Sequence, residues 1–129
     1  MKITQFTDYS LRLLLYLASR RDRVVTVREA AEFYGISAEH LKKIVRRLSE
    51  LGYLATLRGK NGGLRLCVEP ETINLGRLMR EEENLALLPC SDGGASCCPL
   101  TGCKLANVVD EALAAFLGVL DNKTLADLI

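Results

Sequence analysis

The residue pattern predicts a mainly α-helical chain with one small β-hairpin. Three observations carry this. Apolar residues recur at three- and four-residue spacing around Phe6–Leu17, Leu41–Leu51 and Leu105–Leu120. Two short runs, Tyr53–Leu57 and Leu64–Val68, flank a glycine-rich hexapeptide. A glycine-containing turn, Tyr34-Gly35-Ile36-Ser37, separates two of the helical stretches.

Each element follows from local chemistry. Thr4 or Thr7 can cap a first helix, whose apolar face is Phe6, Tyr9, Leu13, Leu14, Tyr16 and Leu17. Asp8 and Arg12 are four apart, so they can pair on its polar side, with Asp8 a first-turn acid. Thr26 with Glu29 three residues later reads as a capping box for a short helix, with Val27, Ala30, Ala31 and Phe33 facing inward. Gly35 accepts a positive φ in the turn, Ile36 plugs the core and Ser37 caps the next helix. That helix, about Ala38–Leu51, buries Leu41, Ile44, Val45, Leu48 and Leu51, and Gly52 ends it. Its outer face carries Ser37, Glu39, His40, Lys42, Lys43, Arg46 and Arg47. Arg58-Gly59-Lys60-Asn61-Gly62-Gly63 forms the tip of the hairpin, where glycine backbone and two cations can approach a polyanion. Two helices about a tight turn, followed at once by a basic hairpin, make a winged helix-turn-helix.

Thr72 or Asn74 caps a further short helix, about Leu75–Glu83, with Leu75, Leu78 and Met79 inward. One long helix from Lys104 to about Leu120 carries Leu105, Val108, Val109, Ala112, Leu113, Phe116, Leu117 and Leu120. So broad an apolar stripe at the end of a small domain suits packing on a second subunit, with an intrachain partner as the alternative. The expected organisation is a DNA-binding unit over 1–83, a cysteine-rich loop over 84–103 and a dimerisation helix with tail over 104–129, all in one structural unit.

Charge divides the chain. Residues 1–68 hold 13 Lys/Arg against 6 Asp/Glu, a net of +7, and residues 69–129 hold 4 against 10, a net of −6. A basic front half suits double-stranded DNA as partner. Ser37, His40, Lys42 and Lys43 are the candidates for base-edge and phosphate contacts, with Lys60 and Asn61 for the minor groove and Arg58 for phosphate. Apolar residues make up 49% of 129, so the chain can bury a core. No run reads as a membrane span or signal peptide, and the expected location is the cytoplasm. No nucleophile–base pair, phosphate loop or acid/base dyad is visible, so no enzyme is expected.

Four of the five cysteines, Cys90, Cys97, Cys98 and Cys103, fall within fourteen residues rich in glycine and serine. Such a segment has no apolar face to bury, and converging thiolates on a metal would order it. An iron–sulfur cluster, a structural zinc site and a thiol switch all remain open on spacing alone. Cys67, on a strand away from the others, reads as a small buried apolar residue.

The opening Lys2-Ile3-Thr4-Gln5-Phe6-Thr7-Asp8-Tyr9-Ser10-Leu11-Arg12, the turn at Tyr34–Ser37, the stretch Leu48-Ser49-Glu50-Leu51-Gly52-Tyr53 and the Arg58–Gly63 tip resemble the Rrf family of bacterial winged-helix regulators. The resemblance runs through the cysteine segment and the last helix, and it is strongest to the branch of nitric-oxide-sensing repressors. It implies a homodimeric repressor on a near-palindromic, AT-rich operator, responding to nitric oxide. It implies an iron–sulfur cluster, [4Fe-4S] rather than [2Fe-2S], held by three loop cysteines. The fourth ligand in that branch is an aspartate near the N-terminus reaching across from the other subunit; the matching residue is Asp8. The family's spacing selects Cys90, Cys97 and Cys103, with Cys98 a possible substitute for Cys97. The branch that governs cluster assembly uses a histidine three residues beyond the last cysteine, and here that position is Ala106. A same-family regulator of iron–sulfur or redox status, and a zinc or thiol-switch DNA-binding regulator, are the alternative functions.

Overall fold

A computed structural model of the chain describes residues 1–88 and 103–129. Five helices, a two-stranded hairpin and two single-turn 3₁₀ segments follow one another among these residues. Helix α1 spans Gln5–Ala18, α2 Val27–Tyr34 and α3 Ala38–Glu50; strands β1, Leu54–Leu57, and β2, Gly63–Leu66, precede α4, Leu75–Glu82, and α5, Lys104–Asp121. The 3₁₀ turns are Pro70–Thr72 and Leu125–Leu128.

The caps are the ones the side chains dictate. The hydroxyls of Thr4, Thr26 and Ser37 and the amide oxygen of Asn74 accept from the first-turn amides of Thr7, Glu29, His40 and Arg77. Gly35 closes α2 at φ 65°, a conformation side chains resist, and the chain turns directly into Ser37. Leu13, Leu14 and Leu17 of α1 meet Leu41, Ile44 and Leu48 of α3 in one core, closed by Val25, Leu54, Leu64, Ile73, Leu78 and Leu125. The strands pair antiparallel from Leu54↔Leu66 to Leu57↔Gly63. Val25 adds a short third rung by exchanging backbone hydrogen bonds with Leu64. At the tip the Gly62 amide donates to the Gly59 carbonyl at 3.0 Å, leaving Lys60 and Asn61 as the two central turn residues. A Cβ on Gly62 would stand 2.1 Å from the Leu57 carbonyl oxygen, so the turn requires glycine there.

Several expectations are corrected. Phe33 is 61% exposed, because the short α2 turns it onto a surface cluster with Tyr16 and Tyr34, edge-on at 4.9 Å to each. Cys67 is exposed too, since β2 ends at Leu66 and Cys67 sits beyond its inward-facing position. Arg47 is only half-exposed and turns away from the outer face of α3 towards α4.

Glu29 makes half of the expected capping box. Its amide donates to Thr26, but its carboxylate accepts from Arg23 Nη1 at 2.8 Å and from the Tyr16 hydroxyl at 2.6 Å. Arg23 first, and Tyr16 second, hold the Glu29 carboxyl down from 4.5 to about 2. A carboxyl lowered by folding stabilises the fold above its unfolded range and loses that contribution as acid protonates it. Glu29→Ala is therefore expected to cost about 1 kcal/mol near pH 7, discounted for the solvent that reaches the pair. The gap to the parent should close between pH 4.5 and about 2, as read by urea unfolding across pH. A gap that persists at the acid end would contradict the ion pair as its source.

Helix α5 divides its apolar residues between two faces. Leu117 is buried and Val109, Leu113, Phe116 and Leu120 are half-buried towards the chain's own core. Leu105, Val108, Ala112, Ala115 and Val119, at three- and four-residue intervals, are all exposed. The single stripe expected from the sequence is thus two stripes, of which the protomer uses one.

Candidate nucleic-acid interface and metal centre

Helix α3 buries Leu41, Ile44, Val45 and Leu48 against α1, and this presents the opposite face to solvent. On that face Lys42 pairs with Glu39 at 3.0 Å and Arg46 with Glu50 at 3.5 Å, while Lys43 is exposed. Such exposed pairs are weak, so phosphate can displace either carboxylate. Ser37 stands at the N-terminus, its hydroxyl occupied by the His40 amide at 3.1 Å. The His40 ring lies edge-on to Tyr9 of α1, with centroids 5.3 Å apart. Arg58, Lys60 and Asn61 are all exposed on the hairpin. A projecting helix face and a basic loop are the two parts a winged helix-turn-helix uses on a duplex.

Asp8 lies one residue before Tyr9, on α1. Its carboxylate is 43% exposed and meets Arg12 Nε at 2.9 Å. It faces an open hollow of about 420 Å³ lined also by Lys2, Ile3, Gln5 and Leu11. Cys103 is partly buried at the N-cap position of the eighteen-residue α5, where peptide dipoles favour a negatively charged ligand. Cys90, Cys97 and Cys98 lie outside the described residues. Among the described residues no three His, Cys, Asp or Glu side chains come together as a metal site; an accessible carboxylate and a thiol at a helix start are donor types that an iron–sulfur cluster accepts, with sulfur the matched donor and oxygen the poorer one.

A group of residues that sequence reasoning missed connects these two regions. At the end of α4, the Glu81 carboxylate accepts from the Tyr53 hydroxyl, 2.7 Å away at the foot of β1. Burial, then Glu81, pushes that tyrosine hydroxyl above its ordinary range. The Glu82 carboxylate is wholly buried, with Arg47 Nε of α3 at 3.4 Å. Glu83 accepts from both the backbone amide and the hydroxyl of Thr4, the α1 cap, at 2.6 and 2.8 Å. The signal was present in the spacing. Leu75, Leu78, Met79 and Glu82 fall on one helical face, which places a carboxylate in an apolar row.

No described helix is long and apolar enough to cross a membrane. Residues 3–129 match the family model described as Rrf2, iron-dependent transcriptional regulator. The chain is 44% identical over 132 residues to the HTH-type transcriptional regulator NsrR of Bacillus subtilis, covering all of this chain and 90% of that protein. It is 45% identical to NsrR of Shouchella clausii, covering all of this chain and 89% of the relative. Among solved structures, CymR, the global cysteine regulator of B. subtilis, superposes with a TM-score of 0.80 at 25% identity, over 99% of this chain and 95% of that one. IscR of T. potens shares the fold, with a TM-score of 0.81 at 24% identity, over 99% and 85%. With the family match running over nearly the whole chain and relatives of 44–45% identity covering all of it, the chain belongs to the Rrf2 family of transcriptional regulators.

Proposed function

We propose that the protein is a homodimeric repressor that binds a near-palindromic, AT-rich operator and senses nitric oxide. Cys90, Cys97 and Cys103 of one subunit hold an iron–sulfur cluster, [4Fe-4S] in preference to [2Fe-2S], and Asp8 of the other completes it; Cys98 is the alternative to Cys97 as the second thiolate. The observation that carries this reading is the Tyr9–His40 contact, which joins the helix bearing Asp8 to the outer face of α3. The identity to proteins named NsrR supports the same sensor class.

The chain's own residues divide the work. Two α3 helices, about one helical turn (~34 Å) apart, read successive major grooves through Ser37, His40, Lys42 and Lys43. Lys60 and Asn61 enter the minor groove and Arg58 holds phosphate. When bound, the cluster supplies the iron with which nitric oxide reacts. Asp8 would be its one oxygen donor, a poorer match to the cluster than thiolate, and Arg12 competes for the same carboxylate. With Asp8 paired to Arg12, as in the protomer, α1 of one subunit would not be tied to the cysteine segment of the other. Tyr9 then carries that freedom to His40, and the two reading heads lose their common spacing.

The test is anaerobic purification with an absorbance spectrum and iron and zinc analysis, followed by DNA binding with and without nitric oxide. A brown, iron-containing dimer released from DNA by nitric oxide is expected. Asp8→Ala should blunt or shift the nitric oxide dose response. A colourless protein with stoichiometric zinc, or an Asp8→Ala variant with the parent's dose response, would falsify the reading.

A further inference from the structure

Glu82 is the most unusual charged group among the described residues. It stands on the buried face of α4, one turn beyond Leu78 and Met79, with no part of its side chain exposed. Among the described residues neither carboxylate oxygen has a hydrogen-bond partner of good geometry, and the nearby Ser10 hydroxyl donates to the Phe6 carbonyl instead. Its close opposite charge is Arg47, whose Nε lies 3.4 Å from Oε1, near enough to attract but poorly aimed. Burial accordingly raises the Glu82 carboxyl, Arg47 opposes that rise, and neighbouring Glu81 reinforces it. A buried carboxylate in so poorly aimed a pair is a weak way to stabilise a fold, since neutral or apolar residues of similar volume often do as well or better.

The position of the pair suggests what it does instead. Arg47 lies in the last turn of α3, the candidate DNA-reading helix, and its Nη2 also donates to the Glu81 carbonyl at 3.2 Å. Glu82 lies in the last turn of α4, eight residues before Cys90. Its neighbours in sequence hold two other elements, Glu81 at Tyr53 below the wing and Glu83 at Thr4, the cap of the helix bearing Asp8. Three consecutive carboxylates thus fasten the stem of the cysteine segment to the wing, the recognition helix and α1.

We propose that Glu82 is a positioning residue that, through Arg47, transmits the state of the cysteine segment to the orientation of the recognition helix. Away from water the attraction between the two charges is stronger than at the surface, so a change in how α4 sits against α3 that parts them or admits water alters the energy of the pair. The inference rests on the sensing reading above, and its experiment separates the two.

Parent, Glu82→Gln, Arg47→Met and the double variant are purified anaerobically. The probe is a duplex selected from a random pool with the cluster-loaded parent. Affinity for it is measured with the cluster loaded and removed, alongside iron content and thermal unfolding of the cluster-free proteins. Glu82→Gln is expected to unfold at or above the parent's temperature, and Arg47→Met below it, because the latter strands a buried charge. Both should keep full iron, yet their loaded-to-unloaded affinity ratio should fall at least about fivefold below the parent's, a typical allosteric coupling. The double variant should be no worse than either single one. A parent-like ratio in Glu82→Gln overturns the inference, as does an unfolding temperature well below the parent's, which would mark a purely structural role. A parent-like ratio in Arg47→Met overturns it as well. A parent whose affinity ignores the cluster sinks the sensing reading itself, and this inference with it.

Discussion

Val108→Glu should yield folded monomers that bind a two-half-site operator about a hundredfold or more weakly than the parent, as expected when one of two linked contacts is lost. The argument starts from exposure. Val108 is 62% exposed, as is Leu105, and Val119 is 65% exposed on the same stripe of α5. In a lone protomer, glutamate at such a place touches water and changes stability by only about 0.5 kcal/mol. In a dimer whose two α5 stripes face each other, it brings a pair of symmetry-related charges into an apolar seam. Burying an unpaired carboxylate there costs several kcal/mol, enough to shift association by orders of magnitude. Sedimentation velocity, circular dichroism and DNA binding at fixed salt read the three parts of the prediction. A variant that still sediments as the parent dimer would remove α5 from the interface.

Cys97→Ser and Cys98→Ser should differ in kind. The first is expected to lose its iron, its colour and its response to nitric oxide, and the second to keep all three. A serine hydroxyl is a hard, protonated oxygen at neutral pH and does not replace a thiolate on an iron–sulfur cluster. Cys103→Ser, at the start of α5, should behave as Cys97→Ser does. Iron and sulfide analysis of anaerobically purified protein is sufficient. The reverse outcome would assign the ligand to Cys98, and full iron in all three variants would end the three-thiolate scheme.

Much of the architecture was legible because it is local. Thr4, Thr26, Ser37 and Asn74 are short polar side chains just before apolar periodicity, and each caps the helix that begins there. Gly35 marks the turn for the same reason that it permits one, a positive φ. The Arg58–Gly63 tip carries its turn chemistry openly, and the Asp8–Arg12 contact needs only four-residue spacing on a helix. Spacing makes Asp8 an ordinary first-turn acid; the ligand role proposed for it comes only from the family resemblance.

Where the sequence alone misled, the deciding contacts are distant in the chain. Phe33 is apolar and correctly spaced, yet α2 is too short to bury it, and Tyr16 and Arg20 receive it at the surface instead. Glu29 looks like a cap box partner until Arg23 and Tyr16 compete for its carboxylate. The broad stripe of α5 could be split into an inner and an outer face only once α4 was packed against it.

The helices, their caps, the turn and the hairpin were determined by the amino-acid sequence itself, since each depends on side chains within a few residues of one another. Which face of α5 stays bare, where Arg47 points and what encloses Glu82 were decided by tertiary structure alone. Those outcomes depend on charges and surfaces brought together from 34 or more positions apart, as Arg47 and Glu81 are, and no local periodicity encodes such a meeting.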